Sequence, residues 1–242
     1  MIFQLNGTAP DITFPNPARA EREPDGLLAI GGDLHPRRLL QAYAQGIFPW
    51  YSEDQPILWW SPDPRTVLYP DKVHVSRSLR RVLRRGGLSL RMDTAFAAVT
   101  RECAAPRADQ EGTWLSPEMQ AAYQQLHHMG VAHSIELWHQ QDLVGGLYGL
   151  GIGRAFFGES MFSRVTSASR VVMVFLCERL LRFGYRFLDC QVFNPHLESM
   201  GAEEIPRARF LEELATAVSA PEPVGMWQPL ELDCSDLEHA HA

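Results

Sequence analysis

The pattern of apolar and polar residues changes character twice along the chain. Residues 1–62 are rich in proline, glycine and tryptophan, a composition typical of turns. One helix is predicted in this stretch, beginning near Pro36 and ended by Gly46. Apolar residues then recur at helical spacing, which predicts three further helices over residues 77–85, 94–103 and 117–129.

Beyond residue 131, apolar residues alternate with polar ones, as in strands with one buried face. Ser167 then opens an apolar helix that Gly184 ends, and a last strand is predicted from Tyr185 to Val192. Within residues 133–162, which precede that helix, the alternation predicts an antiparallel meander of three strands. The strands are expected over residues 133–138, 143–150 and 155–162. The chain is therefore expected to be an α+β protein.

The order of three strands, a helix and another strand is shared with acetyltransferase-like (GNAT-like) folds, of the kind that bind coenzyme A. We predict a small mixed N-terminal domain over residues 1–62 and an acetyltransferase-like domain over residues 63–242, with a mixed, largely antiparallel sheet. A coenzyme A pyrophosphate loop needs glycines whose backbone can approach the phosphates, and residues 163–170 contain none. The sequence thus indicates this fold without that cofactor, and no other cofactor is expected.

Composition indicates where in the cell the protein is expected to be and whether it is expected to bind a metal. Of its 242 residues, 45% are hydrophobic and 21% are charged. The longest wholly apolar run, residues 171–177, is far shorter than the roughly 20 residues that a bilayer-spanning helix needs. The N-terminus has neither a basic leader nor a long apolar stretch, so we expect a cytoplasmic protein. Neither the widely separated cysteines nor the histidines form a zinc motif, and no metal is expected.

Charge is unevenly distributed in this chain, whose net charge is −7. The residues from Glu198 onward carry a local balance of −8, which we interpret as an acidic, solubilising tail. One face of the helix over residues 77–85, by contrast, presents Arg77, Arg80, Arg81, Arg84 and Arg85. Like charges four residues apart repel by roughly 0.2–0.5 kcal/mol per pair, and an anionic partner would relieve this. The pattern therefore predicts nucleic-acid binding, with a solvated helix face as the alternative.

The strand over residues 187–192 carries candidate chemistry for an amine. Alternation places Asp189 and Gln191 on one face, where a carboxylate and an amide carbonyl could hold an N–H group. An exposed sheet face would explain the same pattern. Glu159 lies among aromatic residues. It could form an ion pair with Arg164 or Arg170. Alternatively, it could be the single acidic group of an apolar pocket that suits a cationic ligand.

Short blocks spread over residues 14–210 carry a resemblance to a known family. They occur in the family's order and are GGDL at 31–34, GIFPW at 46–50, WWSPDPR at 59–65, GTW at 112–114, LVGGLYG at 143–149, FGESMFS at 157–163 and LDCQ at 188–191. By these blocks the chain resembles the leucyl/phenylalanyl-tRNA–protein transferases. The resemblance implies transfer of Leu or Phe, with Met left open, from aminoacyl-tRNA to proteins that begin with Arg or Lys. That transfer marks the acceptor for N-degron degradation.

The same resemblance implies roles for individual residues. Asp189 and Gln191 would be the catalytic pair, with Asp189 either polarising Gln191 or acting as a base, and Glu159 would help to place the substrates. The arginine face of residues 77–85 would bind the tRNA acceptor stem. The transferred side chain and the terminal adenosine would contact Tyr43, Trp50, Trp114, Leu147, Phe156, Met161, Ser163, Met173, Leu176 and Leu180.

Three other functions stay open. Two are a coenzyme A-dependent N-acetyltransferase and a non-catalytic tRNA-binding module. The third is a cell-wall aminoacyl-tRNA-dependent peptidyltransferase, which shares the fold but normally has a larger chain. The resemblance also leaves open the preference among Leu, Phe and Met, the oligomeric state, the acceptor proteins, and whether Asp189 is a base or only orients Gln191.

Overall fold

A computed structural model of the chain describes residues 2–7, 13–105 and 115–241, and within these residues the strands form two sheets. The smaller sheet contains β1 (Phe3–Leu5), β2 (Leu27–Gly31), β3 (Phe48–Pro49) and β4 (Leu58–Trp60). Its spatial order is β1-β2-β4-β3. Helix α1 (Pro36–Ala44) connects β2 to β3 and begins at the proline that predicted it.

The larger sheet contains the remaining described strands. These are β5 (Arg65–Leu68), β6 (Ser89–Met92), β7 (Ala132–His139), β8 (Asp142–Ile152), β9 (Ala155–Ser163), β10 (Phe187–Gln191), β11 (Glu203–Ile205) and β12 (Glu231–Asp233). Their spatial order is β11-β5-β10-β9-β8-β7-β6-β12, and only β9 and β10 are parallel neighbours among these described strands. The predicted α+β class, with its mixed, largely antiparallel sheet and the meander β7–β8–β9, is confirmed.

The remaining helices lie between the strands of the larger sheet or, for the last one, after them. They are α2 (Arg77–Arg85), α3 (Phe96–Ala104), α4 (Pro117–His128), α5 (Ala168–Arg182), α6 (Pro195–Glu198), α7 (Arg207–Ser219) and α8 (Glu238–His241). The Ser116 hydroxyl caps α4 by accepting from the Met119 N–H at 3.2 Å, and Gly184, with φ of +71°, ends the turn after α5. In the part of the chain that the structure describes, every helix is too short or too polar to cross a membrane.

Helices cover both faces of the larger sheet. On one face, the apolar run of α5 is almost completely buried and packs in a cluster with Leu147 and Leu188. On the other face, α3 and α4 pack in a second cluster, which also contains Trp59 of the smaller sheet and Tyr43 of α1. The two sheets therefore share a hydrophobic core.

Candidate active site

The two parallel strands of the larger sheet separate after a short paired stretch. Their pairing ends at Phe157 of β9 and Asp189 of β10. Directly afterwards each strand carries a bulge, in which Glu159 is the extra residue against β8 and Cys190 is the extra residue against β5. Gly149 of β8 permits the first bulge, because a Cβ at this position would collide with the carbonyl oxygen of Phe157. The bulges bend the strands apart and open the sheet.

A cavity of about 330 Å³ occupies this opening, within the usual size of a small-molecule site. Residues of β3, α3, β8, β9, β10, α5 and α6 surround it. Its apolar wall includes Phe48, Leu147, Met161, Met173, Leu188 and Leu197. Its polar groups include Glu159, Ser160, Gln191 and Asn194. The cavity can therefore hold a large apolar side chain next to a charged or polar group.

Asp189 is fully buried on the other face of β10, in a two-point ion pair with Arg65 of β5. Arg65 Nε donates to Oδ1 at 2.8 Å, Nη2 donates to Oδ2 at 2.6 Å, and Nη1 donates to the carbonyl oxygen of Gly46 at 3.1 Å. The guanidinium carbon also lies 4.9 Å from the ring centre of Phe48 and 4.5 Å from that of Phe210. Both buried charges are thus partnered, as burial requires.

The prediction that Asp189 and Gln191 share a face is wrong, because the bulge at Cys190 breaks the alternation. Gln191 has φ of +63° and lines the cavity together with Leu188 and Cys190, whereas Asp189 is turned toward Arg65. The two predicted partners are connected through the backbone: the Gln191 N–H donates to Asp189 Oδ1 at 3.0 Å. The carboxylate therefore stabilises the backbone turn that presents Gln191 to the cavity.

Glu159 is the carboxyl group that reaches the cavity. The Tyr123 hydroxyl donates to its Oε2 at 2.6 Å, Gln191 Nε2 donates to its Oε1 at 3.2 Å, and the Tyr43 and Tyr123 hydroxyl oxygens are 2.6 Å apart. Burial raises the pKa of Glu159 to about 7, while the hydrogen bonds from Tyr123, Tyr43 and Gln191 oppose that rise. A carboxyl group with this pKa can accept and release a proton near neutral pH.

The salt bridge considered for Glu159 from the sequence is replaced by these hydrogen bonds. Arg164, one of its two expected partners, instead pairs with Glu102 at 2.6 Å. Burial also raises the pKa values of Tyr43 and Tyr123 well above the ordinary value, so both phenols stay protonated donors. Among residues 2–7, 13–105 and 115–241, no group of three or more histidine, cysteine or carboxylate side chains could hold a metal ion.

Four residues predicted to contact the substrate do line the cavity. They are Trp50, Leu147, Met161 and Met173. Trp50 stands at the mouth with 46% of its surface exposed, and its ring centre is 5.9 Å from that of Trp60. Trp114, predicted to lie near the terminal adenosine, is outside the described residues.

Two further predicted contacts lie behind the cavity. Tyr43 is fully buried outside the lining of the cavity, where its hydroxyl lies 2.6 Å from that of Tyr123 and supports Glu159 from behind. Phe156 lies where β9 and β10 are still paired, so it packs in the core, with its ring centre 5.4 Å from that of Trp227. Neither side chain lines the cavity wall.

The last three predicted contacts also lie away from the cavity. Ser163 is exposed at the end of β9, where its hydroxyl accepts the Ser169 N–H at 2.9 Å. Leu176 and Leu180 follow Met173 on the same face of α5, about one and two turns farther on, and are completely buried in the core. Helical periodicity identifies the face correctly but does not show where along it the cavity ends.

The predicted arginine face is present on α2. The Ser76 hydroxyl caps this helix by accepting the Leu79 N–H at 3.2 Å, and Leu79 and Leu83 are its buried residues. Four of the arginines, Arg77, Arg80, Arg81 and Arg84, line a surface groove. None of the five arginines of this face forms an ion pair within the described residues, so the groove is open to an anionic ligand.

Sequence reasoning missed two residues that shape the site, Arg65 and Tyr123. A buried Asp189 requires a cation, which is a usable signal, but Lys72 is the only lysine among 22 basic residues, so many arginines could meet the requirement. Tyr123 occupies a core-facing position of an amphipathic helix, where packing alone accounts for an aromatic residue. Only the three-dimensional contacts distinguish these two residues from their neighbours.

Comparison with known proteins assigns the chain to a family. The family described as leucyl/phenylalanyl-tRNA protein transferase matches residues 67–215, and its N-terminal domain matches residues 32–63. Among curated proteins named leucyl/phenylalanyl-tRNA–protein transferase, that of Stutzerimonas stutzeri is 59% identical over 211 residues, covering 87% of this chain and 93% of the relative. That of Xanthomonas campestris pv. campestris is 52% identical over 231 residues, covering 92% and 93%.

A structural comparison gives a weaker likeness. The solved structure of L-PGS from Bacillus licheniformis aligns with a TM-score of 0.40 and 13% sequence identity, over 86% of this chain and 67% of that chain. This likeness is too low to add to the assignment. On the extent of the family match and the identity to its curated members, the chain belongs to the leucyl/phenylalanyl-tRNA protein transferase family.

Proposed function

We propose that this aminoacyltransferase moves Leu or Phe from aminoacyl-tRNA to the N-terminal Arg or Lys of acceptor proteins, which marks them for N-degron degradation. Family membership supplies the enzyme class, with aminoacyl-tRNA and a protein acceptor as substrates. The observation that supports the finer assignment is the composition of the cavity. An apolar wall for the transferred side chain adjoins Glu159, whose carboxyl group suits a cationic chain end.

The proposed reaction starts from an activated compound, because the amino acid is esterified to tRNA. The α-amino nitrogen of the acceptor attacks the ester carbonyl carbon, an amide bond forms, and the bond from that carbon to the oxygen of the terminal ribose breaks. One proton leaves the amine, and one is gained by the ribose oxygen as tRNA departs. The protein has to align two substrates and to transfer this proton.

Glu159 is the proton acceptor in this mechanism. Its pKa of about 7 is close to that of a free α-amino group, about 7.7–8.0, so proton transfer between the two is nearly balanced in energy. Gln191 uses its amide nitrogen to donate to Glu159, which leaves its amide oxygen as the atom that can accept an N–H from the amine. Glu159 then returns the proton to the departing ribose oxygen.

Asp189 is a positioning residue in the same mechanism. Its two oxygens accept from Arg65, its Oδ1 also accepts the Gln191 N–H, and the carboxylate does not line the cavity. An amine inside the cavity therefore meets Gln191 and Glu159 rather than Asp189. Of the two roles left open by the sequence, this geometry favours orientation of Gln191 over action as a base.

The donor tRNA would approach from the exposed side of the cavity. Trp50 at the mouth offers an aromatic surface on which the terminal adenosine can stack. The arginine face of α2 offers cationic groups for the phosphates of the acceptor stem. Two further predictions belong to this proposal: the domain boundary between residues 62 and 63, and a cytoplasmic location, where charged tRNA is available.

The direct test is transfer of labelled Leu and Phe from charged tRNA to peptides that differ only in their first residue. We expect peptides beginning with Arg or Lys to be labelled, and those beginning with Gly or Glu to remain unlabelled. The matched control is the Arg peptide with an acetylated N-terminus, which lacks the nucleophile. Labelling irrespective of the first residue would contradict the acceptor assignment, and acetylation by acetyl-coenzyme A without tRNA would contradict the donor assignment.

A further inference from the structure

The C-terminal strap, defined here as residues 226–239, lies within the acidic region of the chain and is firmly attached to the larger sheet. Met226 is fully buried, and its carbonyl oxygen accepts from Arg179 Nη2 at 2.7 Å. The Trp227 ring stacks on His133, with ring centres 3.9 Å apart and planes 4° from parallel. Trp227 Nε1 also donates to the Tyr185 hydroxyl at 3.2 Å. The first part of the strap is therefore anchored by stacking, burial and hydrogen bonds.

The second part of the strap is attached to α2, the helix with the arginine face. Strand β12 pairs with β6, which follows α2 in the chain. Asp233 Oδ2 accepts the Gly87 N–H at 2.8 Å, just after the end of α2. Cys234 is fully buried, with its Sγ 3.6 Å from the Leu83 carbonyl oxygen, and Leu237 is only 2% exposed in the same hydrophobic cluster. Helix α8 then packs along α2.

The end of the strap is fixed to α5 through one histidine. His239 Nδ1 lies 2.6 Å from Glu178 Oε1, and the backbone N–H groups of Glu238 and His239 donate to the same carboxylate, at 3.2 and 2.9 Å. Helix α2 is thus held between α5 and the strap.

Three of the four acidic side chains of the strap are engaged by groups other than the arginine face. Glu231 accepts from Arg91 and Ser89, at 2.9 and 2.8 Å. Asp236 accepts the Asp233 N–H at 3.2 Å, while Asp233 itself is engaged at the end of α2. Each of these carboxylates has a partner other than the arginines of α2, which remain unpaired within the described residues.

Helix α2 depends on its neighbours for its position. It has nine residues, of which only Leu79 and Leu83 are buried. A helix of this length is unstable in isolation, and repulsion between its arginines adds to that instability. The placement of the arginine face is therefore determined by what packs against its apolar side.

We propose that the strap positions the arginine face of α2 for the tRNA acceptor stem, with Leu237, Cys234 and His239 as positioning residues. This proposal rests on the proposed function, in which the face binds tRNA. It assigns a role to a segment beyond residue 215, where the match to the family's main domain ends.

The test uses full-length Leu237→Ala and compares two donors: complete charged tRNA and the aminoacyl ester of adenosine, which has no acceptor stem. We expect the KM for charged tRNA to rise roughly three- to tenfold with kcat unchanged, the effect of misplacing about one phosphate contact. Transfer from the adenosine ester should be unchanged, and the amides of α2 should exchange faster with solvent. Val224→Ala is the matched control, since Val224 is 94% exposed just before the strap.

A second, milder variant keeps the proposal testable if Leu237→Ala fails to fold. His239→Ala removes the contact to Glu178 and should raise the KM for charged tRNA in the same direction, by less. Equal losses with both donors would overturn the proposal, because the strap would then support the whole domain. An unchanged KM for tRNA with faster exchange in α2 would also overturn it. Failure of the unaltered protein to use either donor would instead refute the proposed function.

Discussion

Arg65 holds both carboxylate oxygens of Asp189, at 2.8 and 2.6 Å, on the side of β10 that faces away from the cavity. One of these oxygens also accepts the backbone N–H of Gln191, the residue that faces the cavity. In the proposed mechanism the ion pair therefore acts indirectly, because it fixes the backbone turn from which Gln191 extends. It also explains how an acidic residue can occupy a strand that is buried on both faces.

Removal of Arg65 should leave the charge of Asp189 buried without a partner. We expect Arg65→Met to lower the free energy of unfolding by about 3–5 kcal/mol, measured by urea denaturation at neutral pH. The matched control is Lys72→Met, which breaks the exposed pair with Glu203 and should cost less than about 1 kcal/mol. Similar small losses in both variants would show that the buried pair is not needed for stability.

Activity should follow the ionisation of Glu159. Because the proton acceptor must be deprotonated, we expect kcat/KM for peptide acceptors to rise with pH through about 7, the pKa of Glu159. Glu159→Gln should lower kcat/KM by roughly 10²–10⁴-fold and remove this rise, leaving only the later titration of the acceptor amine. A pH profile with the same midpoint in both proteins would exclude Glu159 as the base.

Whereas activity should rise with pH, the raised pKa of Glu159 should make the stability of the fold decrease with pH. The folded protein binds this proton more tightly than the unfolded chain, so stability falls as pH rises from about 4.5 to about 7. Glu159→Gln should therefore be more stable than the parent protein at pH 8, and the difference should shrink as pH falls toward 4.5. Thermal unfolding at several pH values measures this. A variant less stable than the parent at pH 8 would contradict the assigned burial cost.

The Tyr123 hydroxyl stabilises the charged form of Glu159, so its loss should raise the pKa of Glu159 further. For Tyr123→Phe we expect the acidic midpoint of the kcat/KM profile to move up by about one pH unit. A hydrogen bond to a charged group contributes about 1.5 kcal/mol, which corresponds to about one pKa unit. Tyr148→Phe is the control, since the Tyr148 hydroxyl is buried with no hydrogen-bond partner in the described residues. Equal shifts in both variants would remove the specific role of Tyr123.

The arginine face should determine the salt dependence of tRNA binding. Reversal of Arg80 and Arg84 to Glu should weaken binding of charged tRNA and reduce the slope of log K against log salt by about 1 per lost phosphate contact. Arg101→Glu, an exposed position on α3, serves as the control and should leave the slope nearly unchanged. An unaltered slope in the double variant would assign these arginines to solvation only.

The sequence predicts those helices and strands that are long enough for apolar residues to recur several times at regular spacing. The helices α2, α4 and α5 and the meander β7–β9 each repeat their pattern often enough to be located within a few residues. Strands β5 and β11 have only four and three residues, so they show no period of their own. The attachment of the strap could not be predicted from the sequence, because the partners that fix it, His133 and Glu178, are more than 60 residues away.

The candidate site could be predicted in its chemistry but not in its geometry. Residue types and the family resemblance point to Glu159 and Gln191 and to Trp50, Leu147, Met161 and Met173, all of which line the cavity. The positions of the bulges depend on strand pairing, which no period along a single strand shows, so the orientation of Asp189 was wrong. The choice of Arg65 as its partner likewise depends on a contact across 124 positions of the chain.

The opening between β9 and β10 is produced by one surplus residue in each strand, not by the shape of any side chain. We expect that loss of Glu159 or Cys190 would let the strands continue their ladder and close the cavity. Replacement of Leu147 or Met173 only remodels its wall. Under the proposed function, donor preference can therefore diverge by point substitution while the length of these two strands stays fixed.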